Sequence, residues 1–133
     1  MHFIVVGAGA IGCYVGARLA HAGQQVSLVG RPGILGEIAM HGLTVSDMDG
    51  FRAHVPANRL RFAVAVADVD RSGTPVVLLC VKGGATAQAA AEIAAVMGAG
   101  TPVISLQNGV DNVQRIRDAA PQMDVVAGMV PYN

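Results

Sequence analysis

The sequence lacks both an excess of charge of either sign and any long hydrophobic run. Its 133 residues include nine basic and nine acidic side chains, which give a formal net charge of zero. Proteins that bind nucleic acid or an anionic membrane surface usually carry a basic patch, so we expect neither partner. Hydrophobic residues make up 53% of the chain, but no stretch approaches the ~18 apolar residues of a membrane span. The composition therefore predicts a soluble protein.

A leader segment is also missing. The first predicted strand begins within the first three residues of the sequence, which leaves no room ahead of it for a basic segment, an apolar segment and a cleavage site. We therefore expect a cytoplasmic protein. The length matches one domain of ordinary size, which is long enough to bury a substantial core.

Cysteine is scarce, and the two that occur, Cys13 and Cys80, show no metal-ligand spacing and no disulfide framework. The sequence therefore predicts no metal site. Cys13 lies in the first turn of a predicted helix, where the helix dipole could lower the pKa of a thiol. Cys80 lies in an apolar run. We favour the interpretation that both are small buried hydrophobic residues rather than reactive groups.

Glycine, in contrast, occurs near the start of the chain at a characteristic spacing. The apolar run Phe3–Val6 is followed at once by Gly7-Ala8-Gly9-Ala10-Ile11-Gly12, a G-x-G-x-x-G pattern. In this pattern Gly7 would permit a sharp turn, Gly9 would let the backbone approach a pyrophosphate, and Gly12 would let helix and strand pack closely. The free N–H groups of the helix start would face the phosphates. The position between a strand and a helix predicts a dinucleotide site rather than a merely structural turn.

Arg31 stands where the choice between NAD and NADP is made. In the NAD form of the motif, an acidic residue about 20 positions further on binds the ribose 2′-hydroxyl, whereas an arginine nearby accommodates the 2′-phosphate of NADP. Here no Asp or Glu occurs between Gly12 and Glu37. A guanidinium can hold a phosphate with two hydrogen bonds. The sequence therefore favours NADP(H), against the alternative that Arg31 is a solvated surface arginine.

Strand-like and helix-like segments alternate along the rest of the chain. Continuous apolar runs such as Val76–Val81 are typical of strands buried on both faces of a parallel sheet. We predict an α/β fold, a Rossmann-type, doubly wound, mainly parallel sheet with helices on both faces and a small hairpin insertion near residues 43–55. The predicted strands are Phe3–Val6, Gln25–Val29, Val76–Val81, Pro102–Leu106 and Met123–Val130, and the predicted helices are Ile11–Ala22, Ile34–His41, Ala85–Met97 and Asp111–Ala120.

Two further interpretations concern the first helix and the segment after the predicted hairpin. The first helix is expected to pack on the sheet through one face, made of Ile11, Val15, Leu19 and Ala22. The segment Leu60–Ala67 alternates only in part and is ambiguous between strand and helix.

Polar residues follow two further predicted strands. Lys82, the only lysine in the chain, comes after Val76–Val81, and Asn108 comes after Pro102–Leu106. Ligands of open α/β sheets bind beyond the carboxyl ends of the strands, so we expect both side chains to lie in the same crevice as the glycine loop. The alternatives are a solvated lysine at a strand end and an ordinary tight turn at Asn108-Gly109.

These features together resemble a known family. The glycine loop, Arg31, the strand end Val81-Lys82 and the segment Leu106-Gln107-Asn108-Gly109-Val110 resemble the N-terminal domain of the ketopantoate reductase family, the NADPH-dependent 2-dehydropantoate 2-reductases. The resemblance spans the whole chain. Many dehydrogenases share the glycine loop, but its combination with the other two segments is more particular. The family implies hydride transfer from NADPH to the ketone of a 2-oxo acid such as ketopantoate, in pantothenate biosynthesis.

The resemblance implies a role for each matched residue. The loop Gly7–Gly12 would hold the pyrophosphate, Arg31 the 2′-phosphate, and Lys82 the adenosine-phosphate side of NADPH, while Asn108 would lie near the nicotinamide ribose and the substrate. None of these residues would be catalytic, because the family's proton donor is a lysine on a second, helical domain and this sequence has no second lysine. We therefore expect residues 1–133 to be a truncated cofactor domain, inactive alone, that binds the 2-oxo acid together with the missing domain.

Two alternatives stay open. The chain could be a stand-alone NADP(H)-binding or redox-sensing module without catalysis, which the lack of a second lysine fits equally well. It could instead be an NAD-linked member of a neighbouring dehydrogenase family, with Arg31 in solvent. A face left bare by a missing domain would also be apolar, so we expect self-association.

Overall fold

The continuous apolar runs of the sequence form the middle of one parallel sheet. The structure is a computed structural model that describes residues 1–107 and 111–128. Its strands are β1 (His2–Val6), β2 (Gln25–Val29), β3 (Leu43–Ser46), β4 (Arg52–Val55), β5 (Arg61–Ala63), β6 (Pro75–Leu79), β7 (Pro102–Ser105) and β8 (Asp124–Ala127). Its helices are α1 (Ala10–His21), α2 (Pro32–His41), α3 (Thr86–Val96) and α4 (Asn112–Ala119), and three short 3-10 turns are Ala57–Arg59, Val66–Asp68 and Gly83–Ala85.

Six strands form the main sheet in the order β5-β2-β1-β6-β7-β8, and all neighbours in it are parallel. If the hairpin β3–β4 is set aside, this is the 3-2-1-4-5-6 order of the dinucleotide-binding folds. The chain moves outward from β1 to one side and then returns to β6 on the other side. The gap at the carboxyl ends of β1 and β6 is therefore the point where such folds bind ligands.

Helices cover both faces of this sheet, because alternate side chains of a strand point to opposite faces. Ile4 and Val6 of β1 pack in one core cluster, with Ile93 of α3 and Ile116 of α4. Val5 packs in the other cluster, with residues of α1 and α2. The predicted Rossmann-type α/β fold is thus confirmed.

The packing face predicted for α1 is right only in part, because Val15 and Leu19 do pack against the core on that side but are not its most buried residues. The buried residues of this helix are Gly12, Gly16, Ala17 and Ala20, whereas Ile11, Val15 and Leu19 are only half-buried and Ala22 is exposed. The reason is the close approach of helix to sheet: a Cβ atom on Gly16 would lie 3.0 Å from Cδ2 of Leu28. Small residues therefore face the strands, and the larger apolar ones flank the contact.

The predicted hairpin is confirmed, with β3 and β4 paired antiparallel across the turn 47–51. It is held against α1 by Arg18, whose Nη1 donates to Oδ2 of Asp47 at 3.0 Å and whose guanidinium lies 3.8 Å from the ring centre of Phe51. The ambiguous segment 60–67 contains the short edge strand β5 and the start of a 3-10 turn. The predicted last strand begins as β8, and its end at residues 129–130 lies outside the described residues. In the described part of the chain, no helix has the length and apolarity needed to span a bilayer.

Candidate functional site

A groove of about 730 Å³ opens at the carboxyl ends of β1, β2 and β6. Three segments that follow these strands form its floor and rim, and one helix forms its wall. Its lining includes Gly7–Gly9 after β1, Gly30–Pro32 after β2, Cys80–Lys82 after β6, Ala85 of the following 3-10 turn, and Gln88, Ala89 and Glu92 of α3. The parallel topology thus brings together segments that are far apart in the sequence.

The glycine loop forms the centre of the groove. Gly7 has a φ of +109°, and a Cβ atom there would lie 2.8 Å from the carbonyl carbon of Cys80. Gly7 therefore makes the turn that the sequence predicts. A Cβ atom on Gly12 would lie 2.0 Å from the carbonyl oxygen of Gly7, so Gly12 is the close contact between helix and loop.

Gly9 differs from both of these glycines. Its φ is −86°, and a Cβ atom placed there would meet no protein atom within 4 Å. The space beside its backbone is therefore open toward the groove. Gly9 is also the N-cap of α1, where no side chain caps the helix and no acidic residue occurs in the first turn. The N–H groups of that turn, which lack helical partners, begin at Ala10 and Ile11.

Arg31 lies on the groove rim as the N-cap residue of α2. Its side chain is exposed, and within residues 1–107 and 111–128 it makes no hydrogen bond or ion pair. The glycine loop and the end of β2 approach closely beside it, since a Cβ atom on Gly30 would lie 2.7 Å from Cβ of Ala8. A ligand on the loop would therefore lie next to Arg31.

Lys82 also lines the groove, on the side of β6. It precedes the turn Gly83–Ala85, and the N–H of Ala85 donates to its carbonyl oxygen at 2.9 Å. The Lys82 side chain is exposed, and among the described residues it too has no bonded partner. The predicted juxtaposition of loop, Arg31 and Lys82 is therefore present. Asn108 lies outside the described residues, so its predicted place in the groove stays a prediction.

The structure adds a polar network that sequence reasoning did not identify. Nε2 of Gln107 donates to the carbonyl oxygen of Val81 at 2.8 Å and to Oγ1 of Thr86 at 2.7 Å. Oγ of Ser105 donates to Oε1 of Gln107 at 2.9 Å, and Oγ1 of Thr86 donates to Oδ1 of Asn112 at 3.3 Å. The one feature of the sequence that could have indicated this network is the position of Gln107, a polar residue directly after the predicted strand Pro102–Leu106.

The two cysteines lie beneath the loop. Sγ of Cys13 donates to the carbonyl oxygen of Ala8 at 3.4 Å, and burial raises the pKa of its thiol. Burial, and then the neighbouring Cys13, raises the pKa of Cys80 to about 12. Both thiols therefore stay protonated at neutral pH, which agrees with a packing role. Elsewhere in the described residues, no three side chains of His, Cys, Asp or Glu are grouped to hold a metal ion.

Comparisons with known proteins agree with this geometry. Residues 3–133 match the sequence profile of the family described as ketopantoate reductase PanE/ApbA. A 2-dehydropantoate 2-reductase of Mesorhizobium japonicum is 35% identical over 112 residues, which cover 83% of this chain and 32% of that protein. The crystal structure of a PanE/ApbA family ketopantoate reductase from Ralstonia eutropha JMP134 superposes with a TM-score of 0.82 and 33% identity, covering 96% of this chain and 40% of that one.

A more distant neighbour shares the fold. The ternary structure of D-mandelate dehydrogenase with NADH and anilino(oxo)acetate superposes with a TM-score of 0.76 at 24% identity, over 96% of this chain and 40% of that one. This chain therefore spans about a third of the length of the curated relative and 40% of each solved structure.

Proposed function

The chain belongs to the ketopantoate reductase PanE/ApbA family of oxidoreductases, and we propose that it binds NADPH for a reductase of the 2-dehydropantoate 2-reductase type. The observation that carries this proposal is the groove, which is lined by the open backbone at Gly9 and by two cations, Arg31 and Lys82, that have no bonded partner among the described residues. The complete reaction would be hydride transfer to the ketone of a 2-oxo acid such as ketopantoate, which would serve pantothenate biosynthesis.

The pyrophosphate would lie against Gly9 and the first turn of α1. A helix N-terminus combines free N–H donors with the positive end of the helix dipole, and both favour an anion. The open space beside Gly9 would admit the phosphates without a clash. Ala10 and Ile11 would contribute backbone N–H groups rather than side chains.

Arg31 is the reason for proposing NADPH rather than NADH. D-Mandelate dehydrogenase, which shares the fold, was solved with NADH, so the fold alone does not determine whether NADH or NADPH is bound. Glu92, the acidic residue among the described groove-lining positions, belongs to α3 and not to the segment after β2. The ribose beside Arg31 would thus meet a guanidinium that can bind a 2′-phosphate with two hydrogen bonds.

The remaining lining residues fit the rest of the cofactor. Ile34, Val64 and Val66 give the groove an apolar side near Arg31, which would suit the flat face of adenine. Lys82, on the side of β6, would contact the phosphates as a point charge. Asn108 would approach the nicotinamide ribose and the substrate, as the family resemblance implies.

The cofactor would supply the hydride, and this chain would hold and orient it. Orientation lowers the barrier because the reacting atoms are already in place before the chemical step. As the family resemblance implies, the proton for the developing alkoxide would come from a lysine on a further, helical domain, while the chain's only lysine, Lys82, would lie on the phosphate side of the proposed site. The same resemblance implies that the catalytic groups and most substrate contacts belong to that domain.

Arg31→Ala tests the cofactor assignment. NADPH and NADH are titrated into the wild-type chain and the variant by calorimetry. NADPH should lose about 1.5–3 kcal/mol of binding free energy, the contribution of a hydrogen bond to a charged group, while NADH should lose almost nothing because it lacks the 2′-phosphate.

Arg52→Ala is the matched control, since Arg52 is an exposed arginine of the hairpin strand β4 and is not a groove-lining residue. It should leave both affinities unchanged. Equal losses of NADPH and NADH in Arg31→Ala would overturn the 2′-phosphate contact. Wild-type affinity for NADH equal to that for NADPH would favour the NAD-linked alternative.

A further inference from the structure

Gln107 bridges both ends of the turn that carries Lys82. Its amide Nε2 donates to the carbonyl oxygen of Val81 and to Oγ1 of Thr86, at 2.8 and 2.7 Å. Residues 82–85 lie between these two contacts. We propose that Gln107 is a positioning residue for the cofactor site, which holds the segment 81–86 in the shape that presents Lys82 to the groove. The inference rests on the proposed function, since it takes Lys82 to contact NADPH.

The turn needs such a bridge because little else fixes it. Two of its four residues are Gly83 and Gly84, which have the widest backbone freedom of any residue type. Residues 82–85 are all exposed, and the turn has two backbone bonds of its own, from the N–H of Ala85 to the carbonyl oxygen of Lys82 and from the N–H of Thr86 to that of Gly83. A loop that had to become ordered on binding would lose part of its binding free energy to that ordering.

The bridge is itself held in one orientation. Oε1 of Gln107 accepts a hydrogen bond from Oγ of Ser105, which is 2% exposed and belongs to β7. The carbonyl oxygen of Val81 assigns the amide, because a carbonyl can only accept and the nitrogen of Gln107 must therefore face it. The oxygen of the amide is then left to accept from Ser105. Thr86, having accepted from Gln107, donates its own proton to Asn112 at the start of α4. The donors therefore run in one direction from β7 through the turn to α4.

Gln107 acts on the groove indirectly. It is half-buried and is not among the described lining residues, whereas Val81 and Lys82 are. If the amide of Gln107 were purely structural, its removal would lower the stability of the fold, and any effect on NADPH binding would be the same with or without the Lys82 side chain. A positioning residue would instead affect cofactor binding only while the Lys82 side chain is present.

A double-mutant cycle on the 133-residue chain tests this difference. NADPH is titrated into the wild type, Gln107→Met, Lys82→Ala and the double variant. Methionine has nearly the same length as glutamine but cannot bridge the turn. Lys82→Ala should weaken binding about tenfold or more, the effect of losing a charged contact. Gln107→Met should weaken it about three- to tenfold, and the double variant should bind within about twofold of Lys82→Ala.

Two further variants support the cycle. Gln114→Met is the matched control, because the amide of Gln114 lies on the exposed side of α4 and bonds Asp118; it should bind NADPH as the wild type does. Thr86→Val keeps the side-chain shape and removes one end of the bridge. It should give a smaller loss with the same dependence on Lys82, and it replaces Gln107→Met if that variant does not fold.

Amide hydrogen exchange gives a second measurement. Gln107→Met without cofactor should exchange faster at residues 83–86 and at an unchanged rate in β1. Equal NADPH losses from Gln107→Met with and without Lys82 would overturn the inference. So would an unchanged affinity in Gln107→Met while Lys82→Ala binds weakly. Unchanged binding in Lys82→Ala alone is a separate result, because it would refute the proposed contact of Lys82 with NADPH.

Discussion

Polar side chains at the two ends of the parallel sheet differ in whether they have hydrogen-bond or ion-pair partners within the described residues. At the amino end, His2 is fully buried, with Nε2 2.7 Å from Oγ of Ser27 and Nδ1 3.1 Å from the carbonyl oxygen of Ser72. Nearby, Arg61 pairs with Asp70. At the carboxyl end, Arg31 and Lys82 line the groove without a bonded partner in the part of the chain that the structure describes.

This difference separates stability from function. Buried polar groups must be hydrogen-bonded, or the fold loses the free energy of their hydration. The hydrogen bonds at the amino end of the sheet therefore serve the stability of the fold. Cations left unpaired around an open backbone have no such role. The carboxyl end is therefore where the chain has groups to offer a ligand, and the ligand should be an anion.

His2→Ala should give the largest effect at the amino end. It removes both hydrogen bonds, leaves Ser27 buried with one partner fewer, and opens a cavity at the edge of the core. We expect a loss of about 2–4 kcal/mol in the free energy of unfolding, measured by urea titration. NADPH affinity of the folded chain should change by less than about twofold, because the groove lies at the other end of the sheet.

Ser27→Ala is the milder partner variant and should lose about 1 kcal/mol. A tenfold loss of NADPH affinity in His2→Ala, measured under conditions where the variant is folded, would break the separation between the two ends.

Cys80 should give a smaller, pH-dependent effect. Its pKa is raised by burial, and further by Cys13, from the usual 9.0 to about 12. Between these values the unfolded chain has released the thiol proton and the folded chain still holds it, so stability falls as pH rises. Cys80→Val should remove up to about 1.4 kcal/mol per pH unit of that decline.

The measurement is urea unfolding of the cofactor-free chain at several pH values from 8 to about 11. Cys13→Val, at the other partly buried thiol, should reduce the fall in the free energy of unfolding with rising pH by less than Cys80→Val does. The same slope in the wild type and Cys80→Val would show that Cys80 ionises equally in both states.

Much of the fold follows from the sequence because its central strands are simple to recognise. Val76–Leu79 and Ile4–Val6 are continuous apolar runs, and burial on both faces of a parallel sheet requires that pattern. The short edge strand β5 could not be assigned, since three residues carry too little periodicity. The packing face of α1 was predicted only in part, because apolar residues occur on several sides of that helix and close glycine contacts decide which side lies against the sheet.

The candidate site follows from the sequence only in part. Gly7–Gly12, Arg31 and Lys82 could be placed together because carboxyl ends of parallel strands share one edge. The bridge from Gln107 to Val81 and Thr86 could not be predicted from the sequence, because these partners are 26 and 21 residues away from Gln107 along the chain. Such contacts depend on how two loops pack after the strands are in place.

The most direct test of the account compares Gly9→Ala with Gly12→Ala. A Cβ atom on Gly9 would project into open space, whereas one on Gly12 would lie 2.0 Å from the carbonyl oxygen of Gly7. Gly12→Ala should therefore lose about 3 kcal/mol of folding stability through overpacking. Gly9→Ala should lose at most about 1 kcal/mol, the difference between these residues as a helix cap.

The deciding measurement is the NADPH affinity of the folded Gly9→Ala chain. The account predicts a loss of about tenfold or more, because the added methyl group would occupy the space of the pyrophosphate. Wild-type affinity in Gly9→Ala would contradict it, since the cofactor would then have to bind away from the glycine loop.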